Sequence, residues 1–109
     1  MRRGDVVAVA VTGDYGKPRP AVIVQTDAFP DSHPSIVVCQ MTSRLIDAAD
    51  FRVTIEPSAD NGLRARSQIM ADKPFTVRRT RIGQHIGRLG RGDMARLSVA
   101  LAFVMGLSD

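Results

Sequence analysis

A single change of hydrophobic period divides this chain of 109 residues and limits what it can fold into. Before residue 90 the apolar residues come in short β-branched runs that are bounded by glycine, proline or polar turn residues. Such runs predict β-strands, because branched side chains pack well on a pleated surface. Pro20 is expected at the start of its strand, since proline has no N–H to give to a ladder. The expected strands are Asp5–Val11, Ala21–Val24, Ser35–Met41, Phe51–Ile55, Ser67–Ala71, Phe75–Val77 and Gln84–Leu89.

From Arg91 onward the chain has the period of a helix. The apolar residues there recur at spacings of three and four, namely Met94, Leu97, Leu101 and Val104. This spacing predicts an amphipathic helix, which Gly90 or Gly92 is expected to cap and Gly106 to end. Val99 and Phe103 lie off the main stripe, so the helix is apolar on more than one face. Either a subunit interface or deep packing against the sheet accounts for that excess.

The order of the elements indicates the fold class. Several short antiparallel strands followed by one helix predict an α+β fold, a small antiparallel SH3-like β-barrel with a C-terminal α-helix. The length fits one domain over residues 1–109, because a chain of this size buries enough surface for a single core.

The positive charge of the chain is carried almost entirely by arginine. There are 15 basic and 11 acidic residues, and Lys17 and Lys73 are the only lysines. The planar guanidinium binds phosphate through two hydrogen bonds, so the composition favours a phosphate-bearing partner, although a solvated arginine-rich surface fits it equally well. Aromatic residues make up only 5% and tryptophan is absent. A platform that stacks several bases is therefore not expected.

Several classes of protein are not expected from this sequence. Cys39 is the only cysteine, so no internal disulfide forms and a cytosolic setting is the default. The N-terminus lacks a signal-peptide pattern, and the longest apolar run, Val99–Met105, is far shorter than the ~20 residues of a membrane span. His33 and His85 have no partner at a metal-ligand spacing. We expect a soluble cytoplasmic protein with no membrane partner, no cofactor and no metal.

Three segments place polar side chains at the ends of predicted strands. In the first, 13–20, prolines fix the backbone on both sides of Arg19 and limit the freedom that its guanidinium would lose on binding phosphate. The second, Met41–Arg44, carries two hydroxyls and a charge after a buried strand. The third, Ala71–Pro74, carries a carboxylate beside an ammonium at a strand break. Each segment alone fits an ordinary turn as well as a functional site.

Together these segments resemble the MazF/PemK family of mRNA-cleaving toxins. The similar stretches, in order, are RGDVVAV, GKPRPAVIVQTD, IVVCQMTS, NGLRARSQIMADKP and IGQHIGRL, and they cover most of the chain. The resemblance implies the toxin of a type II toxin–antitoxin system, a metal-independent, sequence-specific endoribonuclease. In that reaction the ribose 2′-OH of single-stranded RNA attacks the adjacent phosphorus and leaves a 2′,3′-cyclic phosphate and a 5′-OH. A homodimer and neutralisation by an acidic segment of a cognate antitoxin are also implied.

The resemblance assigns roles to individual positions. Arg19 matches the family's catalytic loop arginine, and Thr42 matches its catalytic threonine. Asp72 matches an aspartate that acts as general base in some members, and Asp14 falls where some members have an acidic residue. The members whose general base is matched by Asp72 carry an arginine where this chain has Met70, so either Asp14 or Asp72 is the expected base. Further RNA contacts are expected from Lys17, Ser43, Arg44, Lys73, Arg78, Arg79 and Arg81.

Two other functions remain open from the sequence. A CcdB-like, gyrase-poisoning toxin of the same superfamily has no need of the Arg19 and Thr42 pair. A non-catalytic small barrel that binds RNA or protein would use Arg19 for affinity alone. The arginine-rich stretch 78–91 fits an RNA backbone, an acidic antitoxin segment or a solvated face.

Overall fold

The computed structural model describes residues 1–10, 17–107 and 109, which form one antiparallel sheet followed by one α-helix. The strands are β1 (Asp5–Ala10), β2 (Pro18–Ile23), β3 (Ser35–Thr42), β4 (Arg52–Ile55), β5 (Ser67–Met70), β6 (Phe75–Arg78) and β7 (Ile82–Arg88). A 3-10 turn at Arg79–Arg81 joins β6 to β7, and helix α1 spans Arg91–Val104. Each expected strand is confirmed, with ends that differ by a few residues, and Val11 lies outside the described residues.

Strand β3 organises the sheet because it pairs with three other strands. The strand order is β4-β5-β3-β2-β1-β7, and β6 pairs with β3 off this path. On one side of β3 lies β2; on the other, β6 pairs along Ser35–Val38 and β5 pairs at Met41–Thr42. The predicted α+β class with antiparallel strands and a C-terminal helix is confirmed. Within the described chain β4 and β7 end the path, so the sheet is open rather than a closed barrel.

The start of β2 differs from the prediction. The strand begins at Pro18, so Pro20 is its third residue and pairs with Ala8 of β1. Strand β3 pairs with β2 only at Ala21–Ile23. The stretch from Pro18 to Pro20 therefore has a paired strand on one side only. A proline is tolerated there because no strand on the open side needs its N–H.

Two apolar clusters form the core. The first lies beneath α1, where Leu97 and Ala100 pack against strand residues that include Val22 and Ile69. The second is built around Val7, Val9, Ala21, Ile23, Ile36 and Val38, with Phe75, Val77 and Ile82 packed against it. Cys39 is fully buried in the first cluster. Burial, and to a lesser extent the negative charge of Asp72, raises the pKa of the Cys39 thiol to about 12, so it stays protonated and packs as a small apolar group.

Helix α1 exposes the apolar residues that lie off its main stripe. Gly90 precedes it as the N-cap, and Gly106 follows it at a φ of +69°, as the sequence predicts. Val99 is 71% exposed and Phe103 is 59% exposed. Deep packing against the sheet therefore does not account for the apolar excess of this helix. No helix in the described part of the chain is long and apolar enough to cross a membrane.

A carboxylate at the start of β1 ties the N-terminus to β7. Asp5 is only 7% exposed, and its oxygens accept hydrogen bonds of 2.8 Å from the Arg2 backbone N–H and from the Arg88 guanidinium. His85 Nε2 lies 3.6 Å from the same carboxylate. Burial raises the pKa of Asp5, but the Arg2, Arg88 and His85 interactions together outweigh it. The pKa of Asp5 is thus held below its ordinary value of 3.8.

We expect the Asp5→Asn variant to lose about 1–3 kcal/mol of unfolding free energy at pH 7. Because the pKa of Asp5 is lower in the folded chain than in the unfolded chain, this stabilisation is full above ~pH 4 and is lost as the pH falls towards the folded-state pKa. Urea unfolding at a series of pH values from neutral to acid measures the difference. Asp93→Asn, which breaks an exposed ion pair with Arg96, is the control and should change stability little. A difference that does not shrink in acid would contradict this assignment.

Candidate active site

The start of β2 and the end of β3 meet at a cleft of about 640 Å³. Ala21 pairs with Gln40, so continuing that register along two antiparallel strands brings Arg19 and Thr42 to the same edge of the sheet. The cleft is lined by Ala8, Pro18, Arg19, Pro20, Gln40, Met41, Thr42, Ser43, Gly62, Leu63, Arg64, Ala65, Ser67, Gln84 and Ile86. Three of the residues predicted to act on RNA, Arg19, Thr42 and Ser43, thus line one cavity.

The backbone of Arg19 is restrained by a paired strand on one side and by a proline before and after it. It pairs with Val9 of β1, and it stands between Pro18 and Pro20, whose rings restrict φ. The residue itself is exposed at the cleft. A guanidinium on so rigid a backbone loses less conformational freedom when it binds an anion.

The Thr42 hydroxyl is held at the end of β3. Its Oγ1 accepts a hydrogen bond of 3.1 Å from the backbone N–H of Arg44. A hydroxyl has one donor as well as two acceptor lone pairs, so this contact fixes the oxygen and leaves its proton for another acceptor. Arg44 itself does not line the cleft. Its backbone carbonyl accepts a 3.2 Å hydrogen bond from the Arg52 guanidinium.

Gln68, which belongs to none of the motifs in the sequence, fixes the chain that follows Thr42. It is 5% exposed and pairs with Thr42 across β5 and β3. Its Oε1 accepts hydrogen bonds of 3.1 Å from the Ile46 N–H and from Arg52. Its Nε2 donates to the Ile46 carbonyl at 3.0 Å and to the Thr54 hydroxyl at 3.2 Å. The one sequence signal for this role is that a glutamine precedes the apolar Ile69 and Met70 in this strand.

Asp72 and Lys73 lie apart from this cleft. They occupy the turn between β5 and β6, two strands that pair with separate parts of the same edge of β3. The turn therefore sits beside the middle of β3, where the Asp72 charge acts on Cys39. Asp72 Oδ2 lies 3.8 Å from Lys73 Nζ, and neither residue is among those lining the cleft. The structure thus does not bring Asp72 together with Arg19 and Thr42, and Asp14 lies outside the described residues.

The remaining predicted RNA contacts are spread over the surface. Lys17 is exposed just before β2 but does not line the cleft. Arg78 pairs with Ser35, seven residues along β3 from Thr42, which is roughly 23 Å of strand. Arg79 donates to the His33 carbonyl and so holds a loop at that far end.

Arg81 lies nearer to Arg19 than these two residues do. It precedes Ile82, which pairs with Val9 on the side of β1 opposite Arg19, so the backbones of Ile82 and Arg19 are roughly 10 Å apart. Within the arginine-rich stretch, Arg88 is bound to Asp5. The stretch therefore does not form one continuous basic surface beside the cleft.

The cleft is basic. Among the lining residues that the structure describes, the charged ones are Arg19 and Arg64, and no carboxylate is included. The sequence did not reveal which way Arg64 faces, because it lies in a segment without periodicity. Two guanidiniums with the Thr42 and Ser43 hydroxyls make a site suited to a phosphodiester. No group of three or more His, Cys, Asp or Glu placed to hold a metal occurs among the residues described here.

Comparisons with known proteins agree with this chemistry. The family model described as "PemK-like, MazF-like toxin of type II toxin-antitoxin system" matches residues 2–105. The chain is 41% identical over 109 residues to the probable endoribonuclease MazF of Mycolicibacterium smegmatis, covering 99% of each chain.

Solved structures share the fold. A mycobacterial endoribonuclease in complex with its cognate antitoxin superposes with a TM-score of 0.84 at 23% identity, covering 98% of this chain and 96% of that one. MazF from Deinococcus radiodurans superposes with a TM-score of 0.78 at 22% identity, over 97% and 96% of the two chains. At these identities the structures establish the architecture.

Proposed function

The chain belongs to the PemK-like and MazF-like toxins of type II toxin–antitoxin systems, and we propose that it cleaves single-stranded mRNA at the cleft between Arg19 and Thr42. The endoribonuclease activity follows from the family and from the curated relative. The placement of the reaction rests on one observation, that Arg19 and Thr42 line one basic cleft at a shared sheet edge. Family membership does not favour a CcdB-like gyrase poison or a non-catalytic binding module.

We propose that the ribose 2′-oxygen forms a bond to the adjacent phosphorus while the bond from phosphorus to the 5′-oxygen of the next nucleotide breaks. A 2′,3′-cyclic phosphate and a 5′-OH result. Negative charge builds on the phosphoryl oxygens, and the Arg19 guanidinium and the Thr42 hydroxyl donate hydrogen bonds to it. Arg19 stays protonated throughout, so it acts as a fixed charge rather than as an acid.

The 2′-OH proton needs an acceptor. Of the two carboxylates expected for this role, Asp72 lies beside Cys39 and does not line the cleft. We propose Asp14, five residues before Arg19 in the sequence, as that acceptor. The leaving 5′-oxygen takes up a proton from water to become the 5′-OH, and Asp14 returns its proton to the solvent. No metal is needed, because arginine and hydroxyl donors stabilise the phosphoryl charge.

Incubation of the purified protein with a mixed-sequence single-stranded RNA in EDTA tests this function. We expect cuts at a restricted set of sequences, with 2′,3′-cyclic phosphate and 5′-OH ends. The same RNA carrying 2′-O-methyl groups is the matched control and should stay intact, because it lacks the nucleophile. Absence of cleavage at every sequence would refute the proposal, and inhibition by EDTA would refute its metal-independent form.

We further propose that residues 1–109 act as one domain and assemble as a homodimer in the cytoplasm. The exposed Val99 and Phe103 of α1 line part of a mainly apolar groove of about 650 Å³ between α1, β4 and the 46–50 segment. A second copy of the chain covering this face would account for the exposed apolar residues. The neutralising partner is a cognate antitoxin, whose acidic segment complements the basic cleft.

A further inference from the structure

The segment that leads to Arg64 is braced by one buried amide. Asn61 is 3% exposed, and its Nδ2 donates a 2.9 Å hydrogen bond to the Glu56 carbonyl. Its Oδ1 accepts hydrogen bonds of 3.0 Å from the N–H groups of Ser58 and Leu63. A single side chain thus satisfies three backbone groups of this loop, which fixes the loop's shape.

The same loop is pressed against β7 with no side chain between the two backbones. Gly62 has a φ of +68°, and a Cβ at this position would lie 2.3 Å from the Ile86 carbonyl oxygen. A Cβ on Gly87 would lie 2.4 Å from the carbonyl of Asn61. The Arg88 N–H also donates a 2.8 Å hydrogen bond to the Asp60 carbonyl. Arg64 follows this contact by two residues, so its backbone is held at the cleft wall.

Arg64 and its neighbour Arg66 differ in their ion pairing. The Arg66 guanidinium lies 2.9 Å from the Glu56 carboxylate and does not line the cleft. Arg64 lines the cleft, and within the described part of the chain it forms no ion pair. The two arginines have a similar sequence context, but Arg64 faces the cleft, whereas the charge of Arg66 is neutralised by Glu56.

We propose that Arg64 is a second phosphate-binding residue, which holds the RNA backbone next to the phosphate on which Arg19 and Thr42 act. This inference rests on the proposed function of the cleft. A polyanion with regularly spaced phosphates can bind two guanidiniums of one cleft at once, and a cleft without a lining carboxylate in its described part does not repel it. Arg64 contributes to affinity, whereas Arg19 acts on the transition state.

The test compares Arg64→Ala with Arg66→Ala in the full-length protein. We expect Arg64→Ala to raise KM for single-stranded RNA about 10-fold with kcat little changed, and to lower the slope of log affinity against log salt by roughly 0.7–1. Binding of a 2′-O-methyl RNA, which is not cut, should weaken by the same factor. Arg64→Lys should keep most of the affinity, and Arg66→Ala should resemble the wild type.

Equal KM and RNA affinity for Arg64→Ala and Arg66→Ala, with wild-type cleavage present, would overturn this inference and leave the proposed function standing. A loss confined to the affinity for an acidic antitoxin segment would overturn it as well. If the wild type binds the 2′-O-methyl RNA through Arg64 but cuts no RNA, the proposed function fails, and only the phosphate-binding role of Arg64 is supported. Both residues are exposed, so unfolding midpoints close to the wild type are expected for both variants.

Discussion

Replacing Arg19 by alanine is expected to slow RNA cleavage by about 10²–10³-fold at saturating protein. The guanidinium lies at the cleft on a restrained backbone, and its proposed role is to bind the charge that appears on the phosphoryl oxygens during the reaction. Removing one such donor from a preorganised site raises the activation barrier by about 3–4 kcal/mol. The alanine variant should fold normally, because Arg19 is exposed and its backbone pairing with Val9 does not need the side chain.

Single-turnover rates measure this effect, because they separate the chemical step from RNA binding. Arg19→Lys keeps the charge but loses the planar fork, so an intermediate rate is expected. Arg91→Ala, an exposed arginine at the first residue of α1, is the control for loss of one positive charge and should cut like the wild type. An Arg19→Ala protein that cleaves at the wild-type rate would remove the centre of the proposed mechanism.

Gly87→Ala is expected to destabilise the protein by about 2–4 kcal/mol. The new Cβ would lie 2.4 Å from the carbonyl carbon and oxygen of Asn61 and 2.5 Å from the carbonyl oxygen of Asp60. These are backbone atoms of a loop that the Asn61 side chain holds rigid, so they have little room to yield. The loop must lift from β7, which also breaks the hydrogen bond from the Arg88 N–H to Asp60.

Urea unfolding measures the stability of Gly87→Ala, with Gly92→Ala as the control for adding a methyl group to a glycine. A Cβ on Gly92 meets no atom within 4 Å, and the residue lies in the first turn of α1, so alanine there should raise stability by up to about 1 kcal/mol. Gly87→Ala should also weaken RNA binding, since the displaced loop carries Arg64. A Gly87→Ala protein as stable as the wild type would show that the loop is not pressed against β7.

The sequence predicted the elements of this fold well because their signals are local. Branched apolar runs, the prolines and glycines between them, and the change of period at Arg91 each act over a few residues. The misplacement of Pro20 has a different origin. Whether a proline is tolerated inside a strand depends on which side has a partner, and that depends on where β3 pairs with β2.

Only part of the candidate site could be predicted from the sequence. Arg19 and Thr42 were found through the resemblance, and the register of β2 against β3 explains why they share an edge. Gln68 was missed and the facing of Arg64 was not predictable, because both depend on what lies across the sheet or across a loop. The polarity of Gln68 gave a weak signal, whereas nothing in the local sequence distinguishes Arg64 from Arg66.

The cleft takes its lining from both halves of the chain, from Ala8 in β1 to Gln84 and Ile86 in β7. Synthesis on the ribosome delivers these strands in order, so β7 emerges after every other strand. A growing chain that already carries Arg19 and Thr42 still lacks the wall against which the Gly62–Ala65 segment packs. The cleft therefore cannot be complete until β7 has been synthesised and has packed against this segment.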